Sequence, residues 1–559
     1  MQVRESSRTK MTGGCYATVE RNDLSSNPAW AASPGPSREP DESPPPQARA
    51  RRETLGQGAP EILRPRAAQS SGPPFPYPTI PARLDHARIE AEFSRRRRPC
   101  LPLGSGLEGT TFALPMPPPN ITGRLHLGHA LDLGLQDAAL RRARSLGART
   151  IWIPGCDHAG QSSHDKLMEA IPTLRWSTEA ERRRYWRKAW ARAESMKAGI
   201  MGQFGALGPL ADLSNPRFTI DGEQRREAED AIRALTLMGR ISREGGRLML
   251  DLRSEARELA AAIRSGEMRI EPGAHAGRLL AMLGEERLWE IGRDFPWGAR
   301  AQLAFDEEGR ATGGGSESWT LDTWFTSALW PSAGLGGAER FEALIIGYDI
   351  AYFWGARMAM MARALGRPWP FARMMLHGLI RDEQGRKFSK SLGNGIDPLK
   401  IIGEAGADAL RMWCCSKAAW GADFKWSSQG IEAATRWLTK IANATRLLQM
   451  RAPPGARAVE QPLAWPEAFE ERGARFEREM GADMDALRLD QAELRLRAFG
   501  RETWCEGYLG PASKAWEGSP EAWAQALGGH RRLLALAHPF APASTWWLDR
   551  ELRRRPAGM

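Results

Sequence analysis

The sequence predicts a parallel α/β fold followed by a region built of α-helices. Two observations predict this order. Short apolar segments alternate with helical patterns over residues 81–427, and from about residue 428 the pattern becomes almost wholly helical. A third observation, the length of 559 residues, suggests three or four units at roughly 150 residues each.

The first 80 residues are rich in Pro, Ser, Arg and Glu, and they show too little apolar periodicity to form a core. We therefore expect residues 1–80 to be a disordered extension. An organelle transit peptide is an alternative, because such peptides are also rich in Arg and Ser. The acidic residues of this segment argue against it: Glu5, Glu20, Asp23, Glu39, Asp41 and Glu42.

The elements that follow are predicted in order along the chain. Residues 84–97 have a helical pattern, and residues 111–114 read as a short buried strand. After a turn at Gly123, a helix begins near His126 and places Leu127, Leu131, Leu135, Ala138 and Ala139 on one face. Further strands are predicted at residues 149–153, 343–346 and 374–376, interleaved with helices. This alternation indicates a parallel sheet.

Charge and cysteine usage narrow the class of protein. The chain carries 78 basic and 67 acidic residues, a net charge of +11, which favours a polyanionic partner but equally fits a solvated basic surface. Its six cysteines form no CxxC pair, so we expect neither structural zinc nor a disulfide framework. No apolar run approaches the roughly 20 residues needed to span a bilayer. The sequence therefore predicts a soluble protein of a reducing compartment with no membrane partner.

The most specific stretch is Pro-Pro-Pro-Asn-Ile-Thr-Gly-Arg-Leu-His-Leu-Gly-His over residues 117–129, at a predicted strand-to-helix turn. Backbone N–H groups at a helix N-terminus point toward anions, and Gly128 lets a nucleotide approach the backbone closely. His126 and His129 are three residues apart, so both lie on the same side of the first helical turn. Two such imidazoles can donate hydrogen bonds to phosphate oxygens as negative charge grows.

This stretch resembles the HIGH signature of class I aminoacyl-tRNA synthetases, in the form typical of the valyl branch. The resemblance implies a Rossmann-like catalytic domain and a second signature far downstream. Lys387-Phe388-Ser389-Lys390-Ser391 is similar to that second signature, with Phe388 in place of the usual Met. It implies that Lys387 and Lys390 stabilise the charge that moves onto pyrophosphate, and that Ser389 and Lys390 contact ATP.

Three segments between the signatures also resemble the valyl branch. They are Gly-Cys-Asp-His-Ala-Gly at residues 155–160, Leu-Asp-Thr-Trp-Phe-Thr-Ser-Ala-Leu-Trp-Pro at 321–331 and Gly-Tyr-Asp-Ile at 347–350. The resemblance implies that Asp157 holds the amino-acid ammonium group, a charge for which a carboxylate is the natural partner. It implies a side-chain pocket formed with Pro118, Asn120, Trp324, Ile350 and Trp354. Gly347 and Asp349 would hold the ATP ribose.

The chain departs from full-length members of the family after residues 245–250. In those relatives a large inserted domain hydrolyses mischarged tRNA, whereas Asp251 to Arg264 here form one short, helical-looking connector. Fourteen residues cannot bury a core of their own. Residues 266–272 already resemble the sequence that follows the inserted domain. We therefore expect the editing domain to be missing.

Together these observations predict a Rossmann-like catalytic domain in two halves, residues 81–250 and 319–427, separated by a reduced connective insertion at 251–318. Residues 428–559 are predicted to be a helical domain of the anticodon-binding type. The resemblance implies valine activation with ATP and Mg²⁺, transfer to tRNA(Val), a monomeric state and a cytoplasmic location, with an organelle or endosymbiont compartment as the alternative. Two other functions stay open: a degenerate relative that binds tRNA or nucleotide without catalysis, and isoleucine specificity on the same scaffold.

Overall fold

Parallel strands and their connecting helices make up the first part of the protein. The computed structural model describes residues 80–553 apart from 82–83, 97, 105, 336–339, 389–391 and 454–462. The segment predicted to be disordered, residues 1–80, therefore lies outside the described residues except for Ile80.

Most of the strands are short, and two of them end at residues that line the pocket described below, Gly347 and His377. In chain order they are β1 (Thr111–Ala113), β2 (Arg149–Ile151), β3 (Gly155–Cys156), β4 (Arg217–Phe218), β5 (Ile241–Glu244), β6 (Arg247–Leu250), β7 (Arg269–Glu271), β8 (Trp289–Glu290), β9 (Gly292–Arg293), β10 (Arg300–Phe305), β11 (Ala311–Leu321), β12 (Leu344–Gly347), β13 (Arg373–His377), β14 (Ile380–Arg381) and β15 (Phe424–Lys425).

The helices include one in the connector and a group that forms the last part of the chain. In chain order they are α1 (His86–Arg95), α2 (Leu127–Ser145), α3 (Gly160–Ala170), α4 (Glu179–Leu207), α5 (Gly222–Leu237), α6 (Arg253–Ser265), α7 (Ala276–Gly284), α8 (Thr323–Ala328), α9 (Trp330–Gly334), α10 (Arg357–Ala364), α11 (Pro398–Ala405), α12 (Ala407–Ser416), α13 (Ser428–Met450), α14 (Glu470–Asp485), α15 (Leu489–Ala498), α16 (Gly510–Ala512), α17 (Pro520–Ala537) and α18 (Pro542–Arg553). π-Helical turns precede α10 (Ala351–Ala356) and follow α15 (Phe499–Leu509).

The central sheet is parallel, as predicted. β1 pairs with β2, and β12 pairs with β13, which in turn pairs with β7. The backbone N–H of Glu342 donates to the carbonyl of Ala113 at 2.9 Å and joins the two groups of strands. All five residues of β13 and all four of β12 are buried, because helices cover a parallel sheet on both faces.

Helix α2 lies against this sheet and confirms the predicted apolar face. Its first residue is Leu127, with His126 as N-cap, and the five predicted face residues are all buried. The helix is buried on other sides as well, since Gln136 and Asp137 are only 1% and 0% exposed. Nε2 of Gln136 donates to the carbonyl of Ile345 at 3.0 Å, which fixes α2 over β12.

The predicted connector folds as the amphipathic helix α6, which buries Leu259 and Ile263. Residues 251–268, all of which the structure describes, contain this one helix between β6 and β7. Strand β7 then pairs in parallel with β13, from Arg269 to Glu271. A segment expected to be connective therefore supplies the edge strand of the central sheet.

A buried ionic cluster links α2 to α12. Nε of Arg141 donates to Oδ2 of Asp137 at 2.6 Å, and the guanidinium of Arg411 bonds to the same oxygen. The backbone N–H of Leu210 also donates to this carboxylate. Burial alone would raise the pKa of Asp137, but the two guanidinium groups hold it below its ordinary value. Asp137 therefore stays ionised and ties the two helices together.

The last helices pack on the α/β part within one compact unit. Asp408 on α12 is 1% exposed and accepts a 2.6 Å hydrogen bond from the backbone N–H of Ser544 at the start of α18. This carboxylate satisfies an N–H group that the first turn of α18 cannot pair internally. On the same helix, Arg550 forms an ion pair with Glu92 of α1. Of the helices in the described residues, none is long and apolar enough to cross a membrane.

Candidate active site

A pocket of about 420 Å³ opens at the carboxyl ends of β1, β12 and β13. In open parallel sheets this edge is where ligands bind. Eleven residues expected to form the site line the pocket: Pro118, Asn120, His126, Gly128, His129, Asp157, Trp324, Gly347, Asp349, Ile350 and Trp354. Sequence positions more than 200 residues apart thus meet in one cavity.

His126 and His129 stand at the first turn of α2, with ring centroids 4.0 Å apart. Nδ1 of His126 accepts from the backbone N–H of Gly128 at 3.1 Å, and Nδ1 of His129 accepts from the N–H of His126 at 3.2 Å. A ring nitrogen that accepts a hydrogen bond carries no proton, so in the neutral form of each ring the proton lies on Nε2. Burial and the neighbouring His126 lower the pKa of His129 to about 3. His129 is therefore a neutral donor at physiological pH.

Gly128 is required by the His126 ring. A Cβ atom at this position would lie 2.9 Å from Cε1 and 3.0 Å from Nδ1 of His126. Any side chain here would push the ring away from the cap position. The glycine thus keeps the helix start open for the imidazole as well as for an approaching ligand.

Asp157 is 5% exposed and lines the pocket with its carboxylate buried. Oδ1 accepts from the backbone N–H of Ala159 at 2.6 Å and from the Thr323 hydroxyl, and Oδ2 accepts from the Ser327 hydroxyl. Ala159 is in the left-handed conformation (φ 59°), which turns its N–H back toward the carboxylate. No Lys or Arg among the described residues forms a salt bridge with Asp157. Burial raises its pKa despite the three hydrogen bonds, so the site favours a cationic ligand group.

The walls near Asp157 are apolar or aromatic. Asn120 pairs with Asp157 in a parallel bridge, which brings the chain after β1 beside the carboxylate. Trp354 is 3% exposed, and its Nε1 donates to the carbonyl of Ser327 at 3.1 Å. Trp324 is half-buried, with its ring 6.2 Å from that of Phe353. Together with Pro118 and Ile350, these side chains enclose a small apolar space beside a carboxylate.

Gly347 and Asp349 line the pocket at the carboxyl end of β12. Gly347 ends β12, and Asp349 lies in the 3₁₀ turn Tyr348–Ile350 that follows it. A Cβ atom on Gly347 would lie 2.7 Å from Oδ1 of Asp349. The glycine therefore leaves the exposed carboxylate room to face the pocket.

The predicted second signature is only partly covered by the described residues. Lys387 is exposed, forms a backbone bridge with Arg381 and does not line the pocket. Its carbonyl accepts from Nδ2 of Asn394 at 3.3 Å. Ser389 and Lys390 lie outside the described residues. The structure therefore brings together the residues of the first signature and leaves Lys387 on a loop outside the cavity.

Four polar residues of the site were not singled out from the sequence. Thr323 and Ser327 bond to Asp157, and Asp132 and His377 line the pocket and bond to each other at 2.8 Å. For His377 a signal existed, since it is a polar residue that ends a buried parallel strand. Within the described residues, no group of three or more His, Cys, Asp or Glu side chains is placed to hold a metal ion.

The family model for class I tRNA synthetases (I, L, M and V) matches residues 105–254 and 315–427. These two segments contain the pocket and both signatures. These two segments belong to the class I tRNA synthetases. The unmatched residues 255–314 between them include most of α6 and strands β7 to β10.

Two relatives of this synthetase are valine–tRNA ligases. The protein of Granulibacter bethesdensis is 34% identical over 330 residues, which cover 52% of this chain and 36% of the relative. The protein of Corynebacterium jeikeium is 26% identical over 683 aligned positions, covering 78% of this chain and 73% of the relative. The synthetase thus spans about a third of the length of the first relative and about three quarters of the second.

Two solved structures of similar fold are a methionyl- and a leucyl-tRNA synthetase. The methionyl-tRNA synthetase of Mycobacterium tuberculosis, in complex with methionyl-adenylate, has a TM-score of 0.60 at 17% identity, covering 78% of this chain and 93% of its own. The LeuRS–tRNA–LeuAMS ternary complex of Agrobacterium radiobacter has a TM-score of 0.64 at 15% identity, covering 85% and 89%. At this level of identity they support the fold of the synthetase.

Proposed function

We propose that this synthetase activates valine with ATP and transfers it to tRNA(Val). The observation that carries the proposal is the arrangement within one pocket. The buried carboxylate of Asp157, which has no salt-bridge partner among described Lys and Arg residues, lies beside an apolar wall, and the His126–His129 pair and Asp349 line the same cavity. An amino acid with a short aliphatic side chain matches Asp157 and the apolar wall, and a nucleoside triphosphate matches the histidine pair and Asp349.

Valine is favoured over the other members of the class by the relatives and by the motifs. The two relatives described above are valine–tRNA ligases. The segments that resemble the valyl branch, at residues 117–123, 155–160 and 347–350, all line or adjoin the pocket. Isoleucine is the nearest alternative substrate on this scaffold.

The first step is formation of valyl-adenylate. A carboxylate oxygen of valine attacks the α-phosphorus of ATP, a new P–O bond forms, and the bond to pyrophosphate breaks. Nε2–H of His126 and of His129 would donate to phosphate oxygens as charge builds on them, with Lys387 and Lys390 serving the departing pyrophosphate. Mg²⁺ would arrive with the ATP phosphates and neutralise further charge.

In the second step the 2′-hydroxyl of the terminal adenosine of tRNA attacks the carbonyl carbon of the adenylate, and AMP leaves. No side chain acts as nucleophile, so positioning and electrostatics supply the rate. We assign residues 81–250 and 319–427 to this catalytic domain, 251–318 to a reduced connective insertion and 428–559 to tRNA binding. A monomer that acts in the cytoplasm fits these assignments.

The test is amino-acid-dependent exchange of label between pyrophosphate and ATP. Valine should support exchange at a much lower concentration than isoleucine, threonine or leucine. A protein that only binds tRNA or nucleotide gives no exchange with any amino acid. If isoleucine supports exchange best, the substrate is isoleucine and not valine.

A further inference from the structure

The side chain of His377 is clamped between two acceptors at the end of β13. It is 3% exposed. Nε2 lies 2.8 Å from Oδ1 of Asp132 on α2, and Nδ1 lies 2.8 Å from the carbonyl oxygen of Gly378. Both histidine nitrogens therefore have a hydrogen-bond partner.

The two acceptors determine the protonation of the ring. A carbonyl oxygen has no proton to give, and neither has an ionised carboxylate, so each ring nitrogen must itself carry a hydrogen. An imidazole with hydrogens on both nitrogens is the cation. The charged form is held further by Asp349, the second carboxylate near the ring. Asp132 and Asp349 are the charged groups that face His377, from α2 and from the turn after β12.

The raised pKa of His377 agrees with a charged ring. Burial acts to lower it, but Asp132, the Gly378 carbonyl and Asp349 outweigh burial and raise it above the ordinary value. Five other histidines show the opposite shift, because burial lowers their pKa: His129, His158, His164, His530 and His538. His377 is thus set apart from them by its partners.

The clamp joins the helix of the first signature to the end of the β12–β13 pair. Asp132 is on α2, one turn after His129, and both Asp132 and His377 line the cavity. His377 is paired in register with Gly347 across β12 and β13, and a Cβ on Gly347 would lie 3.5 Å from Cε1 of His377. Strand β13 leads directly into β14 and the Lys387 loop.

We propose that His377 is a positioning residue that Asp132 holds as an imidazolium. In this form His377 ties α2, the helix of the first signature, to β13, the strand that leads into the second signature. It also keeps the Asp349 carboxylate turned toward the nucleotide. The proposal rests on the function proposed above. It predicts that loss of the charge weakens binding of ATP more than binding of valine, because the partners of His377 are Asp132 and the Gly378 carbonyl, whereas Asp157 is held by Ala159, Thr323 and Ser327.

The first measurement is direct and needs no activity. In protein labelled with ¹⁵N-histidine, two ring N–H signals of an imidazolium should persist at pH 7, above the ordinary histidine pKa of 6.5, and they should be absent from His377→Gln. Asp132→Asn removes the carboxylate that sustains the charge, so the remaining burial lowers the pKa and the imidazolium is lost at a lower pH. A His377 resonance in the unmodified protein that is already neutral at pH 7 overturns the proposal.

The second measurement follows valine-dependent pyrophosphate exchange from pH 6 to 8. His377→Gln should raise the KM for ATP about 10-fold at every pH, with the KM for valine within about twofold, a difference of about 1.4 kcal/mol for ATP. The KM for ATP of Asp132→Asn should move toward that of the unmodified protein as the pH falls and toward that of the glutamine variant as the pH rises. An unchanged KM for ATP in His377→Gln, or a pH profile of Asp132→Asn identical to that of the unmodified protein, contradicts the proposal.

His530→Gln is the matched control. His530 is also fully buried and hydrogen-bonded, to Thr445 and Trp504, but it lies in the helical part of the chain. Its loss should reduce stability without altering the pH profile or the ratio of the two KM values. If the unmodified protein shows no exchange with valine, the proposed function fails, whereas the resonance of His377 and calorimetric binding of ATP to both variants still decide the present proposal.

Discussion

Nδ1 of His129 accepts a hydrogen bond from the backbone N–H of His126, 3.2 Å away, and this contact decides which nitrogen of His129 carries its proton. The proton lies on Nε2, so the ring offers a donor to a ligand without needing to be charged. A neutral donor stabilises charge that grows in the transition state without binding the ground-state phosphate strongly.

For His129→Ala we expect the rate of adenylate formation to fall about 10²- to 10³-fold, with the dissociation constant for valine almost unchanged. Because the pKa of His129 is lowered to about 3, its neutral form persists from pH 5 to 9 and the rate should show no step from this group near pH 6.5. Single-turnover formation of adenylate measures the rate, and equilibrium dialysis measures valine binding. Equal losses in rate and affinity would argue against this role.

Asp157→Asn should raise the KM for valine by at least about 100-fold, since a buried ammonium would face a neutral amide. ATP binding should change little, because the proposed partner of Asp157 is the amino-acid ammonium group and not the nucleotide. Thr323→Val is a matched comparison. It removes one of the hydrogen bonds to the carboxylate but keeps the charge, so its effect should be much smaller. An unchanged KM for valine in Asp157→Asn would refute the assignment.

Gly347→Ala places a Cβ 2.7 Å from Oδ1 of Asp349 and should displace that carboxylate. The KM for ATP is expected to rise about 10-fold, about 1.4 kcal/mol, with little effect on valine. Gly403→Ala on α11 is the control, because nothing lies within 4 Å of its Cβ position. That variant should keep both KM values. A normal KM for ATP in Gly347→Ala would mean that Asp349 does not contact the nucleotide.

Threonyl-tRNA(Val), once formed, should persist in the presence of this protein. A hydrophobic pocket rejects the extra hydroxyl of threonine by only about 10²-fold, a magnitude known from valyl enzymes themselves. Residues 251–268, which stand between β6 and β7, contain the single helix α6 and leave no room for a second pocket. Preformed threonyl-tRNA(Val) should therefore be deacylated no faster with the protein than without it, while a full-length valine–tRNA ligase serves as positive control. Rapid hydrolysis would reveal an editing site elsewhere in the chain.

The sequence predicted those parts of the fold and site that depend on local pattern. The apolar face of α2, the connector helix α6 and the buried strands β12 and β13 all follow from periodicities within a few residues. Resemblance then gave eleven residues that the structure brings into one pocket.

What the sequence missed are pairs formed across long separations. Thr323 bonds to Asp157 from 166 residues away, and His377 bonds to Asp132 from 245 residues away. No local period encodes such a pair, because it depends on which strands become neighbours. For the same reason the pairing of β7 with β13 was not foreseen, although β7 lies only a few residues beyond the predicted connector.

The buried cluster around Asp137 should hold α2 against α12 with little dependence on ionic strength. Its carboxylate and both guanidinium partners are at most 3% exposed, so dissolved ions cannot screen the attraction that ties α2 to α12. Contacts between surface cations and RNA phosphates weaken steeply as salt rises. Added potassium chloride should therefore uncouple the two half-reactions, leaving formation of the adenylate nearly intact while transfer to RNA declines.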